Sequence, residues 1–178
     1  MQLIKNGELV EDRYVRLLDD APLPDGVPVI VPAARFLADA EDILRRDASA
    51  GVLWPNNRRV SELAPYVDRL ALIVLTFPTF KDGRAYSQAR QLRERYRFRG
   101  ELRATGQVLR DQFLFLVRAG FNALEVLKES DAAAYAATLA RYSVFYQPTG
   151  EGRAPAVRRR LARFSPVSSG ETLPAGRA

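Results

Sequence analysis

The densest group of residues that could do chemistry is a basic segment between residues 81 and 103. It contains eight basic and three acidic side chains, an excess of five positive charges in a chain whose formal charge is +6. The basic members are Lys81, Arg84, Arg90, Arg93, Arg95, Arg97, Arg99 and Arg103. Guanidinium groups bind oxyanions and carboxylates through paired hydrogen bonds. The segment therefore predicts a site for a small anion or an acidic partner.

A strand, a loop and a helix are predicted to position the start of this segment. The apolar run 70–75 predicts a strand buried on both faces, followed by a loop over 79–83 and a helix over 84–98. In parallel α/β proteins, ligands bind where strands end and helices begin, near the free N–H groups of the helix. We expect ten residues to meet at this edge and to bind the anion: Lys81, Asp82, Gly83, Arg84, Tyr86, Ser87, Arg90, Arg103, Thr105 and Gly106.

Strand and helix patterns alternate along most of the chain. Strands are predicted at 27–31, 52–54, 70–75, 101–104 and 122–126, and helices at 34–47, 61–69 (broken at Pro65), 84–98, 107–119 and 131–146. Such alternation predicts a single α/β domain with a mainly parallel sheet of about five βα units, either an open sheet or part of a barrel.

Two terminal segments differ from this central domain. Asn6-Gly7 lies between the short strand patterns 2–4 and 8–10, which predicts an N-terminal β-hairpin. Residues 147–178 are basic and rich in Pro and Gly, and we expect them to be disordered. The expected parts are therefore a hairpin (1–18), an α/β domain (19–146) and a basic tail (147–178).

Composition excludes several classes of site. The chain has no Cys and no His, which removes disulfides, thiolate nucleophiles, Fe–S clusters and the usual zinc and haem ligands. The glycine fingerprints of mononucleotide and dinucleotide sites are also absent. We therefore predict no metal and no resident cofactor, and the spacing of the carboxylates identifies no acid and base. Catalytic residues cannot be named, and a role other than that of an enzyme is favoured.

The expected location is the cytoplasm. The longest strongly apolar stretch, residues 70–77, is far shorter than the roughly 20 residues of a membrane helix. The first residues contain no apolar signal core. We expect no contact with a membrane, and we do not expect nucleic-acid binding, because the basic tail lacks the interleaved aromatic residues that stack on bases.

Several motifs resemble the bacterial family named domain of unknown function 934. The resemblance covers residues 27 to 146 and is carried by FPTFKDGRAYSQAR at 77–90, LRERY at 92–96, GELRATG at 100–106, VLRDQ at 108–112 and AGF at 119–121. Members of that family are labelled as oxidoreductases or accessory proteins of assimilatory sulfite reduction. The resemblance carries over no catalytic residue. Family members often have an acidic residue at the positions of Gln107 and Asn122, so a mechanism that needs a carboxylate there is not expected.

The resemblance implies a role in sulfur assimilation, with sulfite reductase or another protein of sulfur assimilation as the partner. Because the chain lacks the ordinary residues that carry electrons, we expect an accessory protein that binds an anion or the reductase through the basic edge. One alternative is an oxidoreductase of sulfite reduction that uses a bound organic cofactor such as flavin. A second is a nucleic-acid-binding protein that uses the basic tail.

Overall fold

The structure is a computed structural model that describes residues 1–128 and 130–141, with the side chains of 139–141 left undescribed. The predicted tail 147–178 and the end of the predicted helix 131–146 lie outside the described residues.

Within the described residues, eight strands form one sheet. They are β1 (Gln2–Lys5), β2 (Glu8–Val10), β3 (Val15–Arg16), β4 (Val29–Pro32), β5 (Ala50–Trp54), β6 (Leu72–Phe77), β7 (Glu101–Gly106) and β8 (Ala123–Val126). Their order across the sheet is β2-β1-β8-β7-β6-β5-β4-β3. Neighbours from β3 to β8 are parallel, whereas β1 is antiparallel to both β8 and β2. The predicted α/β fold with a mainly parallel sheet is confirmed.

The helices that connect the strands are short. The α-helices of the described residues are α1 (Ala33–Ala38), α2 (Ala40–Leu44), α3 (Arg84–Arg90), α4 (Phe113–Ala119) and α5 (Ser130–Arg141). Val60–Tyr66 and Arg110–Gln112 are 3₁₀-helices, and Gln91–Arg95 extends α3 as a turn of π-helix. The predicted helix over 34–47 is two helices, because the backbone leaves the helical conformation at Asp39 (φ −120°, ψ 25°). Pro65 lies within the first 3₁₀-helix and lacks the N–H that an α-helix needs.

The two faces of the sheet have different coverings because successive side chains of a strand point to opposite faces. One face packs against the helices and includes Ile73, Leu75, Leu102 and Ala104, all fully buried. The opposite face carries a small apolar cluster around Leu72 and the polar side chains of β7. The main core therefore lies between the sheet and its helices.

The sheet is curled like half of a barrel. Arg16 of β3 forms an ion pair with Glu125 of β8, although β4 to β7 separate these strands in the sheet. Such a contact requires the sheet to bend toward the face away from the helices, which is therefore the concave face. The chain between β2 and β3 crosses this face, since Asp12 and Tyr14 both contact the β7 residue Arg103.

The N-terminal hairpin is confirmed, and it is part of the sheet. Asn6 and Gly7 both have positive φ angles (52° and 97°), as a type I′ turn requires. β1 pairs along its whole length with β8, which adds the hairpin to the edge of the parallel strands.

Candidate functional site

The loop before α3 carries fewer unbalanced charges than its sequence suggests. Gly83 immediately precedes α3, as predicted. Arg84, which is exposed, forms an ion pair with the half-buried Asp82 (Nη2 to Oδ2, 2.6 Å). These hydrogen bonds from Arg84 hold the pKa of the Asp82 carboxyl well below its usual range. Lys81 is exposed, with its ammonium 5.7 Å from the centre of the Phe80 ring.

Tyr86 and Arg90 lie in a groove between α3 and α4, whereas Arg84 and Ser87 lie in another groove on the same helix. The α3–α4 groove is also lined by Asp111 and by Phe115, whose exposed fraction is 60%. Burial and the Asp111 carboxylate raise the pKa of Tyr86 to about 12. Arg90 pairs with Glu94 one turn along the helix (3.3 Å).

Arg93 has a structural position. Its guanidinium donates hydrogen bonds to the carbonyl oxygens of Phe98 (2.6 Å), Gly100 (3.0 Å) and Gly120 (2.9 Å). Burial lowers the pKa of Arg93 below its ordinary value. Arg90 and Arg93 therefore differ in role, because Arg90 is exposed and Arg93 binds the backbone of two loops.

Arg103 lies away from the predicted edge, and that part of the prediction is wrong; Thr105 lies next to the edge, but its side chain is buried. Arg103 is in the middle of β7, opposite Val74 of β6, and its side chain is only 1% exposed. Because Leu102 and Ala104 face the helices, Arg103 and Thr105 must face the concave side of the sheet.

The concave face holds a group of charged and polar side chains that we call the concave cluster: Lys5, Asp12, Arg16, Glu101, Arg103, Thr105 and Glu125. Arg103 donates to Asp12 (2.6 and 3.1 Å), to Glu101 (2.8 Å) and to Glu125 (3.1 Å). Lys5 pairs with Glu101 (2.8 Å), and Thr105 donates to Glu125 (2.5 Å).

The charges of the concave cluster balance. Three cations face three carboxylates, so neither Arg16 nor Arg103 has an unbalanced charge with which to bind a free anion. Burial alone would lower the pKa of Arg103, but the carboxylates of Asp12 and Glu101 outweigh it and raise the pKa above its ordinary value. The cluster therefore fastens the segment between β2 and β3 to the sheet.

Gly106 is the one β7 residue of the predicted set that lies at the carboxyl edge of the sheet. Its φ is +93°, and a Cβ atom there would collide with the carbonyl oxygen of Phe77. The nearby Gln107 accepts a hydrogen bond from the Phe80 N–H (3.1 Å), and Asn122 accepts one from Leu102 (2.7 Å). A carboxylate would supply the same acceptor, so an acidic residue at either position is compatible with a structural role.

A groove of about 480 Å³ lies between α3 with its π-turn and the segment that follows β5. We call it the arginine groove, because four arginines and, as far as the described residues show, no carboxylate line it. Its lining residues are Asn56, Asn57, Arg58, Arg59, Val60, Ser61, Arg84, Ser87, Gln88, Gln91, Arg95 and Tyr96. Of the ten residues predicted to bind an anion, this groove brings together Arg84 and Ser87.

Gln88 fixes the two walls of the arginine groove against each other. Its Nε2 atom donates to the carbonyl oxygens of Pro55 (3.1 Å) and Arg58 (2.7 Å). The Arg58 carbonyl also accepts from the Trp54 indole (3.3 Å). Gln88 is 6% exposed, and its Oε1 atom has no hydrogen-bond partner among the described residues. The groove is therefore anchored to the core and retains a buried acceptor.

Two of the four guanidinium charges in the groove are not balanced by any carboxylate of the described residues. Arg58 pairs with Glu62 (2.9 Å) and Arg84 pairs with Asp82. No ion pair of Arg59 or Arg95 is found in the part of the chain that the structure describes, and both are exposed. The Arg95 guanidinium lies over the ring of Tyr96, 5.5 Å from its centre. The groove can therefore attract about two negative charges.

The wall formed by residues 56–61 was not predicted as part of the site. A signal for it was present, because Pro55-Asn56-Asn57-Arg58-Arg59 directly follows the apolar strand β5. Residues at the carboxyl ends of parallel strands are the usual ligand contacts in such folds. The larger charge excess at 81–103 favoured a site after the neighbouring strand β6 instead.

Among the described residues, no group of three or more acidic side chains is placed to hold a metal ion, and no helix is both long and apolar enough to cross a bilayer. A family model described as "Bacterial protein of unknown function (DUF934)" matches residues 51–157. No curated protein and no solved structure matches the chain.

Proposed function

Because the chain belongs to the bacterial family DUF934, we propose that it is an accessory protein of assimilatory sulfite reduction and that it binds an anion in the arginine groove. The family resemblance supports the process, and the unbalanced charges of Arg59 and Arg95 support the anion. The residues of the groove lie within the matched range 51–157.

The chemistry of the groove suits an oxyanion. A guanidinium donates two parallel hydrogen bonds to a pair of oxygens on one ligand, and it stays protonated at all physiological pH values. Arg59 lies on the wall after β5, and Arg95 lies on the helix wall, so that a bound anion would be approached from both sides.

An accessory role fits this chain better than electron transfer. The sequence has no Cys or His with which to ligate an iron centre. In this proposal the redox chemistry belongs to the partner, sulfite reductase or another protein of sulfur assimilation, and the chain supplies an anion site beside it.

Anion binding is tested by isothermal titration calorimetry of the purified protein with sodium sulfite at low ionic strength. We expect saturable binding that the double variant Arg59→Ala/Arg95→Ala abolishes. Arg45→Ala is the matched control, because Arg45 is exposed, pairs with Asp42 and does not line the groove. Binding that is unchanged in the double variant, or equally weakened in the control, would contradict the assignment of the groove.

The role in sulfite reduction is tested by deleting the gene and growing the strain on sulfate, sulfite or sulfide as the only sulfur source. We expect growth on sulfide alone, restored by the wild-type gene and not by the double variant. Normal growth of the deletion strain on sulfite would exclude the proposed process.

A further inference from the structure

We propose that the natural ligand of the arginine groove is an organic phosphate monoester with a hydroxyl-bearing carrier, such as a sugar phosphate or a nucleoside monophosphate, and not a bare inorganic oxyanion. This inference rests on the proposed anion-binding function and specifies its ligand.

The size of the groove is the first argument. Sulfite has four non-hydrogen atoms, which at about 30 Å³ each, the share of a water molecule in the liquid, occupy about 120 Å³. That is about a quarter of the 480 Å³ groove. Sites for organic ligands measure roughly 300–1,000 Å³, and the groove falls within this range.

The length of the groove is the second argument. The helix wall runs from Arg84 to Arg95, twelve residues whose eleven steps of about 1.5 Å span about 16 Å. A sulfite or sulfate ion contacts only the few side chains around it and leaves most of this wall to water. A ligand that uses both Arg95 and Ser87 has to be elongated.

Charge gives the third argument. Two guanidinium groups, Arg59 and Arg95, are not balanced by a carboxylate among the described residues. A phosphate monoester carries about −1.5 to −2 charges at pH 7, which matches two cations. Its three terminal oxygens accept hydrogen bonds from more than one guanidinium.

The neutral lining gives the fourth argument, because it is polar and offers both donors and acceptors. Asn57, Ser61, Ser87 and Gln91 present amides and hydroxyls. Sugar hydroxyls donate and accept hydrogen bonds, so they complement such a surface. An acyl chain would leave these polar groups unpaired, which is unfavourable.

The test is isothermal titration calorimetry at one ionic strength with inorganic phosphate, sodium sulfite, glucose 6-phosphate, adenosine 5′-monophosphate and neutral glucose. We expect at least one monoester to bind with a Kd at least tenfold lower than that of inorganic phosphate or sulfite, and we expect glucose not to bind. A preference for the nucleotide or for the sugar phosphate identifies the carrier.

Two double variants distinguish the residues that contact the phosphate from those that contact the carrier. Arg59→Ala/Arg95→Ala is expected to weaken the monoester and inorganic phosphate together. Ser61→Ala/Ser87→Ala is expected to weaken the monoester at least threefold and to leave inorganic phosphate unchanged. Far-UV circular dichroism and the fluorescence of Trp54 establish that each variant is folded, and Arg45→Ala is again the control.

The two proposals fail differently. Inorganic sulfite or phosphate binding as tightly as both monoesters would overturn this inference and leave the anion site intact. Monoester binding that survives the loss of both arginines would overturn the inference by placing the ligand elsewhere. Absence of binding by every anion would overturn the inference together with the anion-binding part of the proposed function.

Discussion

Replacing Arg103 by Met removes the central cation of the concave cluster and keeps a side chain of similar length. The Arg103 guanidinium is 1% exposed and donates to three carboxylates. Removing one member of a buried ion network strongly lowers the free energy of unfolding, because the remaining charges stay desolvated without their partner. We expect Arg103→Met to fold and to be markedly less stable.

The size of the loss follows from what each carboxylate retains. Glu101 keeps its ion pair with Lys5, and Glu125 keeps Arg16 and the hydroxyl of Thr105. The Asp12 carboxylate is 32% exposed and can turn to water. Breaking a buried pair costs about 3–5 kcal/mol, and these compensations place Arg103→Met near the lower end, about 3 kcal/mol.

Urea unfolding followed by the fluorescence of the single, fully buried Trp54 measures this loss. With a denaturant slope of about 2 kcal/mol per M, a loss of about 3 kcal/mol lowers the midpoint by about 1.5 M. Asp12→Asn is the partner variant and should lose less than about 1 kcal/mol, because Arg103 then retains two carboxylates. A midpoint for Arg103→Met within 0.5 M of the wild type, on the scale of about 2 kcal/mol per M, would refute the reasoning.

Three further predictions concern backbone contacts and one tyrosine. Arg93→Ala leaves three loop carbonyls without their donor, so its free energy of unfolding in urea should fall by about 2–3 kcal/mol. Arg90→Ala should lose less than about 0.5 kcal/mol, because Arg90 forms only an exposed ion pair. Equal losses would contradict the structural position of Arg93. Gly26→Ala should lower the free energy of unfolding by about 1–2 kcal/mol because of its positive φ alone. Gly106→Ala should lower it clearly more, because the added Cβ also meets the Phe77 backbone. Thermal unfolding compares the two variants, and equal losses would exclude the close approach of Gly106 to Phe77. Tyr86 has a pKa of about 12 in the folded protein and an ordinary value of 10.0, so its stabilising contribution is complete below pH 10 and is lost as the pH rises toward 12. Tyr86→Phe should therefore lose less stability than the wild type between pH 10 and 12, and it should lack one late step of the ultraviolet titration. An unchanged late titration would show that this step belongs to another tyrosine.

The sequence predicted the elements whose signal is local. Asn6-Gly7 is the pair that best tolerates two positive φ angles, and the hairpin it predicts is present. The continuous apolar run at 70–75 indicated burial on both faces, and the residues of β6 from Leu72 to Leu75 are fully buried. Gly120 ends α4 in the left-handed conformation, as its position after the helical pattern predicted.

Helix extents were less predictable, because periodicity does not separate an α-helix from its 3₁₀ and π variants. The helix predicted over 84–98 is α-helical to Arg90 and then widens into a π-turn. The π-turn has one residue more than a regular α-helical turn, which rotates the side chains that follow it relative to those of α3. The predicted helix over 107–119 is α-helical only from Phe113.

The candidate site shows the same division. The alternation of Glu101, Arg103 and Thr105 with Leu102 and Ala104 could have shown from the sequence that the polar residues face away from the helices. It could not show that the sheet curls far enough to bring Asp12, 91 residues away, against Arg103. Nor could it show that Gln88 fastens the wall after β5 to α3 and thereby forms the arginine groove.

The sequence by itself determined seven of the eight described strands, including the two of the hairpin, together with the excess of arginine and the family, because each depends on residue types and spacings within a short stretch. It did not predict β3. Only the tertiary structure decided which charges cancel and which remain. The attraction between two charges weakens over a few ångströms, so an arginine is neutralised only where the fold places a carboxylate beside it. The curled sheet brings carboxylates from distant parts of the chain to Arg103. It brings none of the described carboxylates into an ion pair with Arg59 or Arg95.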